Sequence, residues 1–162
     1  MNNAYLLIGG NMGDRLANIE KATSRIIHSC GNISKKSSIY ETAAWGPIAQ
    51  NDFLNQVLLI ETILQPIKLI ETLLFIEKEM GRERTLSMGP RSIDIDILYY
   101  NNEIISIPTL EIPHPRIQER KFVLVPLVEI AAEMKHPVLQ LTHNELLARC
   151  SDNLPVHKHH SF

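Results

Sequence analysis

The sequence predicts a single α+β domain, and three observations support this prediction. Apolar runs with strand character alternate with segments of helical spacing. Glycine and proline mark the boundaries between these segments. The chain has 162 residues, a length that suits one domain. The predicted order, β-α-β-β-α-β followed by C-terminal helices, is typical of a ferredoxin-like sandwich with helices on one face of a mainly antiparallel sheet. The other face must be covered by loops and the C-terminal helices, or hold a ligand.

Each element has a local signal in the sequence. Asp14 is a helix N-cap after the glycine-rich segment 9–13, and Pro66 begins the second helix, where its missing N–H is harmless. Gly81 ends that helix as a C-terminal cap residue, and the segment 82–91 that follows is predicted to be a mobile loop. The predicted strands cover about residues 5–8, 34–42, 53–61, 92–100 and a short return strand 103–107, and the helices run from Asp14 to Gly31, from Pro66 to Gly81, and over about 123–133 and 143–150.

Composition narrows the class of protein. Sixteen basic and eighteen acidic side chains give a formal net charge of −2, which argues against a general nucleic-acid binder. The sequence shows no signal peptide and no apolar run near the length of a membrane span, so we expect a soluble cytoplasmic protein with no membrane partner. We also expect a monomer. We expect residues 1–156 to form the domain and 157–162 to be a flexible C-terminal tail.

The most specific chemical feature is the strand sequence Ile-Asp-Ile-Asp-Ile at 93–97. Side chains alternate between the two faces of a strand, so Asp94 and Asp96 lie side by side, opposite the isoleucines. Two neighbouring carboxylates repel each other unless a cation lies between them, and Mg²⁺ is usually held by one or two carboxylates together with substrate phosphates. The alternative is an exposed strand face with two solvated aspartates.

Basic side chains surround this pair in the sequence. Arg82, Arg84 and Arg91 lie just before it, and guanidinium groups bind phosphate oxygens in bidentate fashion. An acidic metal site beside an arginine loop fits phosphoryl transfer, in which catalysis is positioning and charge neutralisation. His114 lies between two prolines and can donate to a phosphate or cap a turn, and Arg120 can reach phosphates or pair with Glu119.

A second group of residues fits a planar heterocycle. Phe53 and Asn55 share one face of their strand and could supply a stacking ring and an in-plane amide, although a core phenylalanine beside a polar edge residue is equally consistent. Trp45, the only tryptophan, could cover the ligand or fill the core. The segment 9–13 matches no nucleotide-binding motif and is interpreted as a strand-to-helix turn.

Taken together, these residues resemble a known family. The segment 89–98 closely resembles the signature of the 6-hydroxymethyl-7,8-dihydropterin pyrophosphokinases of folate synthesis, and nearly the whole chain follows the family pattern. Thr85, Ser87 and Met88 depart from that pattern, which affects the details of loop closure rather than the reaction. Further matching segments are 4–11, 46–47, 52–55, 81–84, 113–116 and 120–127.

The resemblance implies a reaction and its residues. The diphosphate of ATP would pass to the hydroxymethyl group of the pterin and AMP would leave, with Asp94 and Asp96 holding two Mg²⁺ ions. Arg82, Arg91 and Asp96 are the implied catalytic residues. The implied ATP site consists of Glu77, Arg82, Arg84, Arg91, Ile97, His114 and Arg120. The implied pterin site consists of Thr42, Ala43, Trp45, Phe53, Asn55 and Phe122.

Two other classes fit the residues without the resemblance. One is a palm-type nucleotidyltransferase, which would release pyrophosphate rather than AMP. The other is a non-catalytic ferredoxin-like binding module. An RNA-binding version of such a module would need exposed aromatic residues on its central strands and a basic surface.

Overall fold

The computed structural model describes residues 1–44, 46–47, 49–81 and 92–160. The strands are β1 (Asn2–Gly10), β2 (Asn32–Lys36), β3 (Tyr40–Thr42), β4 (Phe53–Thr62), β5 (Asp94–Tyr100), β6 (Ile105–Ile107), β7 (Leu110–Ile112) and β8 (Val156–Lys158). The helices are α1 (Arg15–Ser29), α2 (Pro66–Glu79), α3 (Lys121–Ala131) and α4 (His143–Arg149). The β-α-β-β-α-β order predicted from the sequence is present, with the second strand divided in two.

The main sheet has the strand order β5-β1-β4-β3-β8, and its paired strands run antiparallel. β2 also pairs with β4, next to the segment where β3 pairs. The predicted strand 34–42 is therefore two strands. The break falls at Ser37, whose side-chain hydroxyl accepts from the Val57 N–H at 3.0 Å. In a continuous ladder, a backbone carbonyl group would be the acceptor of that N–H.

One face of the sheet is covered by α1 and α2. Both helices present apolar side chains at helical spacing to this face, including Ile19 and Ile26 from α1 and Leu69 and Leu73 from α2. The isoleucines at 93, 95 and 97 lie in the same cluster, which confirms the predicted alternation along β5. Among the described residues, the structure contains no helix long and apolar enough to cross a membrane.

The opposite face carries a second apolar cluster under α3 and α4. Leu7, Val57 and Tyr99 of the sheet pack there with Val123 and Leu127. This cluster covers only part of the face. At the end where β1 finishes and β4 and β5 begin, polar side chains replace apolar ones.

Two parts of the chain differ from the sequence prediction. The sequence predicts a return strand over residues 103–107 that would pair with β5. This pairing is wrong, because β6 pairs with β7 in a separate two-stranded sheet. The predicted flexible tail is wrong for His157 and Lys158, which lie in β8 and pair with β3. The His159 N–H also donates to Ile39 O at 2.8 Å. β3 would otherwise leave its N–H and C=O groups at an open edge, and β8 satisfies them.

Candidate active site

The two aspartates of β5 lie on the sheet face opposite α1 and α2. Both are half-buried, and the intervening Ile95 is only 2% exposed. Asp94 is paired with Gly9 of β1 and Asp96 with Leu7. The strand therefore holds two carboxylates side by side at the edge of the apolar cluster under α3, as the sequence predicts.

A buried glutamate fixes the backbone between these aspartates. Glu77 of α2 is 3% exposed, and its Oε2 accepts from the Ile95 N–H at 2.6 Å. Ile95 lies between Asp94 and Asp96, so this hydrogen bond ties the acidic strand to the helix behind it. The resemblance places Glu77 in the ATP site. In the structure, its hydrogen bond to the Ile95 N–H helps to position β5.

A row of residues crosses the sheet beside Asp94. Gly9 lies next to Asp94 on one side and Asn55 on the other, and Asn55 in turn pairs with Tyr40 of β3. A Cβ atom at Gly9 would lie 2.2 Å from Asn55 Oδ1 and 2.3 Å from Leu54 O. The absence of a side chain at Gly9 thus leaves the space in which the Asn55 amide lies, and Asn55 is only 6% exposed.

His114 is placed next to β5 by its backbone. Its N–H donates to Leu98 O at 2.9 Å, and its ring Nδ1 accepts from the Arg116 N–H at 3.2 Å. Burial lowers the pKa of His114 to about 4, and the positive charges of Arg120 and Arg116 act in the same direction against the opposing charge of Asp94. The ring is therefore neutral near pH 7, and Nε2 carries its proton.

Arg120 caps the N-terminus of α3 and lies close to the same carboxylates. Burial lowers its pKa, while the negative charge of Asp96 opposes this shift. Its guanidinium carbon is 5.7 Å from the centre of the Phe122 ring, within the range of a cation–π contact. The N-terminal end of α3 thus brings a cation and an aromatic ring towards the acidic strand.

The remaining pterin-site residues lie where β3 ends and β4 begins. Thr42 and Phe53 are paired, and Phe53 and Asn55 share a face because they are two residues apart on β4. Thr42 is buried, and Ala43 and Phe53 are half-buried. Trp45, Arg82, Arg84 and Arg91 lie outside the described residues, as do Thr85, Ser87 and Met88.

Ile97, like Glu77, lies behind the acidic strand on the side of α1 and α2. Its side chain is 4% exposed and packs in the cluster that faces α1 and α2. Two residues that were not predicted, Asn11 and Arg15, bond to the segment that leads into β4. From the sequence, Asn11 is indistinguishable from any asparagine in a glycine-rich turn. Its contact with the segment before β4 is visible only in the tertiary structure.

The acidic pair fits a hard divalent cation. Within the described ranges no group of three or more His, Cys, Asp or Glu side chains could hold a metal ion. Two oxygen ligands on a rigid strand suit Mg²⁺, which keeps several waters and takes its remaining ligands from substrate phosphates. Carboxylates that can hold Mg²⁺, with an arginine beside them, are recurring parts of enzymes that transfer phosphoryl groups from nucleotides.

Comparison with known proteins identifies the family. Residues 5–132 match the family described as 7,8-dihydro-6-hydroxymethylpterin-pyrophosphokinase. The chain is 42% identical over 138 residues to the 2-amino-4-hydroxy-6-hydroxymethyldihydropteridine pyrophosphokinase of Aquifex aeolicus. The matched region covers 85% of this chain and 86% of that relative. It is 44% identical over 137 residues to the enzyme of the same name from Bacillus subtilis, covering 83% and 82%.

Solved structures show the same fold. The Plasmodium falciparum HPPK-DHPS wild type with pteroate superimposes with a TM-score of 0.75 at 18% identity and covers 91% of this chain. This chain spans 42% of the length of that structure, and 24% of the folic acid synthesis protein FOL1 of Dictyostelium discoideum, to which it is 40% identical.

The chain therefore belongs to the 7,8-dihydro-6-hydroxymethylpterin-pyrophosphokinase family. This confirms the enzyme class predicted from the sequence, a pyrophosphokinase of folate biosynthesis that uses ATP as co-substrate.

Proposed function

We propose that this chain transfers the diphosphate of ATP to 6-hydroxymethyl-7,8-dihydropterin on the sheet face formed by β1, β4 and β5. The observation that carries the proposal is the row of Asp94, Gly9 and Asn55 across three neighbouring strands. The row brings an acidic group suited to a metal next to an amide suited to a heterocycle. A transferase for these two substrates needs both at one place.

Asp94 and Asp96 would hold the metal, and we propose two Mg²⁺ ions. When bound, the metal neutralises the phosphate charge and aligns the attacking and leaving oxygens. His114 and Arg120 lie beside the carboxylates and are proposed to bind phosphate oxygens. The neutral His114 suits this task, because its Nδ1 accepts from the Arg116 N–H and its Nε2–H is therefore a hydrogen-bond donor.

Arg82, Arg84 and Arg91 lie between α2 and β5 in the sequence. We propose that these arginines bind the triphosphate and that Arg82 and Arg91 also stabilise the charge that develops during transfer. Glu77 and Ile97 complete the proposed ATP site by placing the strand that carries the aspartates. Glu77 supports this role through its hydrogen bond to Ile95 N.

The pterin is proposed to stack between Phe53 and Phe122, with its edge read by Asn55. Backbone groups around Thr42, Ala43 and Trp45 would bind the rest of that edge. Asn55 is suited to this reading because an amide offers both a donor and an acceptor in one plane. Asn55 is 6% exposed, and its amide lies in the space that Gly9 leaves free.

The reaction is an in-line attack of the hydroxymethyl oxygen on the β-phosphorus of ATP. The bond from the β-phosphorus to the α-phosphate oxygen breaks, and AMP leaves with that oxygen. The hydroxyl proton is lost, and we propose that Asp96 accepts it. The side chains of Phe53 and Phe122 would exclude water from the reacting oxygen.

Several predictions about the whole protein remain predictions. One is the ferredoxin-like arrangement of the core, which the strand order β5-β1-β4-β3 supports. The others are the single domain over 1–156, the monomeric state, the cytoplasmic location and the absence of a nucleic-acid partner.

The direct test is product analysis. The purified chain is incubated with ATP, MgCl₂ and 6-hydroxymethyl-7,8-dihydropterin, beside a reaction without pterin. We expect AMP that depends on the pterin and matches the pterin diphosphate in amount. Pyrophosphate as the main product would instead support a nucleotidyltransferase, and no nucleotide product from the folded chain would contradict the proposal.

Replacing either aspartate tests the metal assignment. Asp94→Ala or Asp96→Ala should reduce turnover by at least about 10²-fold, because charge neutralisation at the phosphates is lost. Pterin binding, followed by the quenching of pterin fluorescence, should persist. Glu111→Ala, which removes an exposed carboxylate on β7, is the control. Turnover near that of the wild type in either aspartate variant would refute the assignment.

A further inference from the structure

The turn between β1 and α1 contains a buried asparagine with long-range partners. Asn11 is 1% exposed, and its amide Nδ2 donates to Gln50 Oε1 at 2.9 Å and to Asn51 O at 2.8 Å. Gln50 and Asn51 lie just before β4. A glycine-rich turn at the start of the chain is thus bonded to the segment that leads into Phe53 and Asn55.

An arginine at the start of α1 reaches the same region from the other side. Arg15 NH1 lies 2.5 Å from Glu41 Oε2 and 3.0 Å from Asp52 O. Glu41 is the central residue of β3, and Asp52 directly precedes β4. One guanidinium group therefore joins the two strands at the points where the chain leaves β3 and enters β4.

We propose that Asn11 and Arg15 are positioning residues for the pterin side of the active site. This inference rests on the proposed function, since it concerns how that site is held. Asn11 fixes the approach to β4, and Arg15 fixes the distance between β3 and β4 at the level of Thr42 and Phe53.

The physical reason is pre-organisation. Residues 43–52 connect β3 to β4, and ordering such a connection when substrate binds would oppose binding through lost conformational entropy. Hydrogen bonds from Asn11 and Arg15 order its C-terminal part in the free protein. A variant that lacks them should fold, because the core clusters are not changed, but it should bind the pterin less tightly.

The two residues make different kinds of contact, and this allows separate variants. Asn11 is buried and donates two hydrogen bonds, so Asn11→Ala removes both donors. The side chain of Arg15 is 27% exposed and that of Glu41 is 34% exposed, so Arg15→Ala removes a partly buried contact outside the core clusters. Arg15→Lys keeps the positive charge near Glu41 and should restore part of the effect.

A matched control comes from the far end of β4. Thr62 is fully buried, and its hydroxyl donates to Cys30 O at 2.6 Å. Thr62→Val removes a buried polar contact of similar type away from the site. It should lower stability without a specific change in pterin binding.

The experiment combines steady-state kinetics with hydrogen exchange of the free protein. For Asn11→Ala and Arg15→Ala we expect KM for the pterin to rise on the order of tenfold, with KM for ATP within about twofold of wild type. Amide exchange in residues 49–53 should become faster in both variants. Arg15→Lys should lie between wild type and Arg15→Ala in both measurements, and Thr62→Val should change neither.

Three results would overturn the inference. They are an unchanged KM for the pterin together with unchanged exchange, an equal rise in KM for both substrates, or the same effects in Thr62→Val. If the wild-type chain forms no AMP, the proposed function fails. Hydrogen exchange then still decides whether Asn11 and Arg15 hold residues 49–53.

Discussion

Replacing Gly9 by alanine would place a methyl group where the Asn55 amide now lies. The added Cβ would be 2.2 Å from Asn55 Oδ1 and 2.3 Å from Leu54 O, whereas ordinary contact begins at 3.4 Å. The Asn55 side chain could rotate away, but Leu54 O belongs to the backbone of the central strand β4. The β1–β4 pair must therefore open by about 1 Å at the site.

The size of the effect follows from this displacement. Forcing extra atoms into a packed region costs about 1–3 kcal/mol, which lowers Tm by roughly 2–4 °C per kcal/mol in a chain of this length. Catalysis should suffer more than stability, since a displacement of about 1 Å at a positioned group costs on the order of 10²-fold in rate. We expect kcat/KM for the pterin to fall by this factor while the protein remains folded.

The assay compares Gly9→Ala with Gly31→Ala. A Cβ at Gly31 would lie 2.0 Å from Glu61 O, so it collides with the same strand at its opposite end. Both variants should lose stability in thermal denaturation, but only Gly9→Ala should lose pterin-dependent AMP formation. The double variant with Asn55→Ala should lose less than the product of the two single losses, because part of the effect of Gly9→Ala acts through the Asn55 amide while the clash with Leu54 O persists.

Three results would contradict this reasoning. Wild-type kcat/KM in Gly9→Ala would mean that the Asn55 amide is not the group that the pterin meets. Equal losses of activity in Gly9→Ala and Gly31→Ala would point to general destabilisation of β4. If the double variant lost as much activity as the two single variants combined, Gly9 and Asn55 would act independently of each other.

Two further predictions concern stability. Glu77→Ala leaves the buried Ile95 N–H without its acceptor and should cost about 2 kcal/mol, or about 4–8 °C in Tm. Glu79→Ala on the same helix removes an exposed ion pair worth about 0.5 kcal/mol and should lower Tm by only about 1–2 °C. His143 is fully buried and its pKa is lowered by burial, so below about pH 6.5 the unfolded chain takes up a proton that the folded protein resists. The free energy of unfolding should therefore fall as the pH drops from 6.5 towards 5 and be fully retained above 6.5. Denaturant titrations should show a shallower fall in His143→Gln, and an unchanged pH dependence would contradict the assignment.

Local sequence determined much of the fold and the chemistry. The alternation along residues 93–97 defines which side chains face the core, because the period of a strand is two. Asp14 and Pro66 mark helix starts through capping and a fixed φ, which are properties of one or two residues. The acidic pair and its neighbouring cations therefore indicated phosphoryl transfer before any contact was known.

The tertiary structure decided which distant residues meet. Glu77 had a helical signature, yet its carboxylate accepts from the backbone of β5, eighteen residues further along the chain. The tail around His157 had no strand signature, and it is ordered because β3 offers an open edge. Asn11 had the signature of a turn residue, and its hydrogen bonds to Gln50 and Asn51 exist only because the pairing of β1 with β4 brings the end of one strand next to the start of the other. Such contacts depend on the packing of whole elements, whereas a sequence pattern reports only the conformation of the segment that carries it.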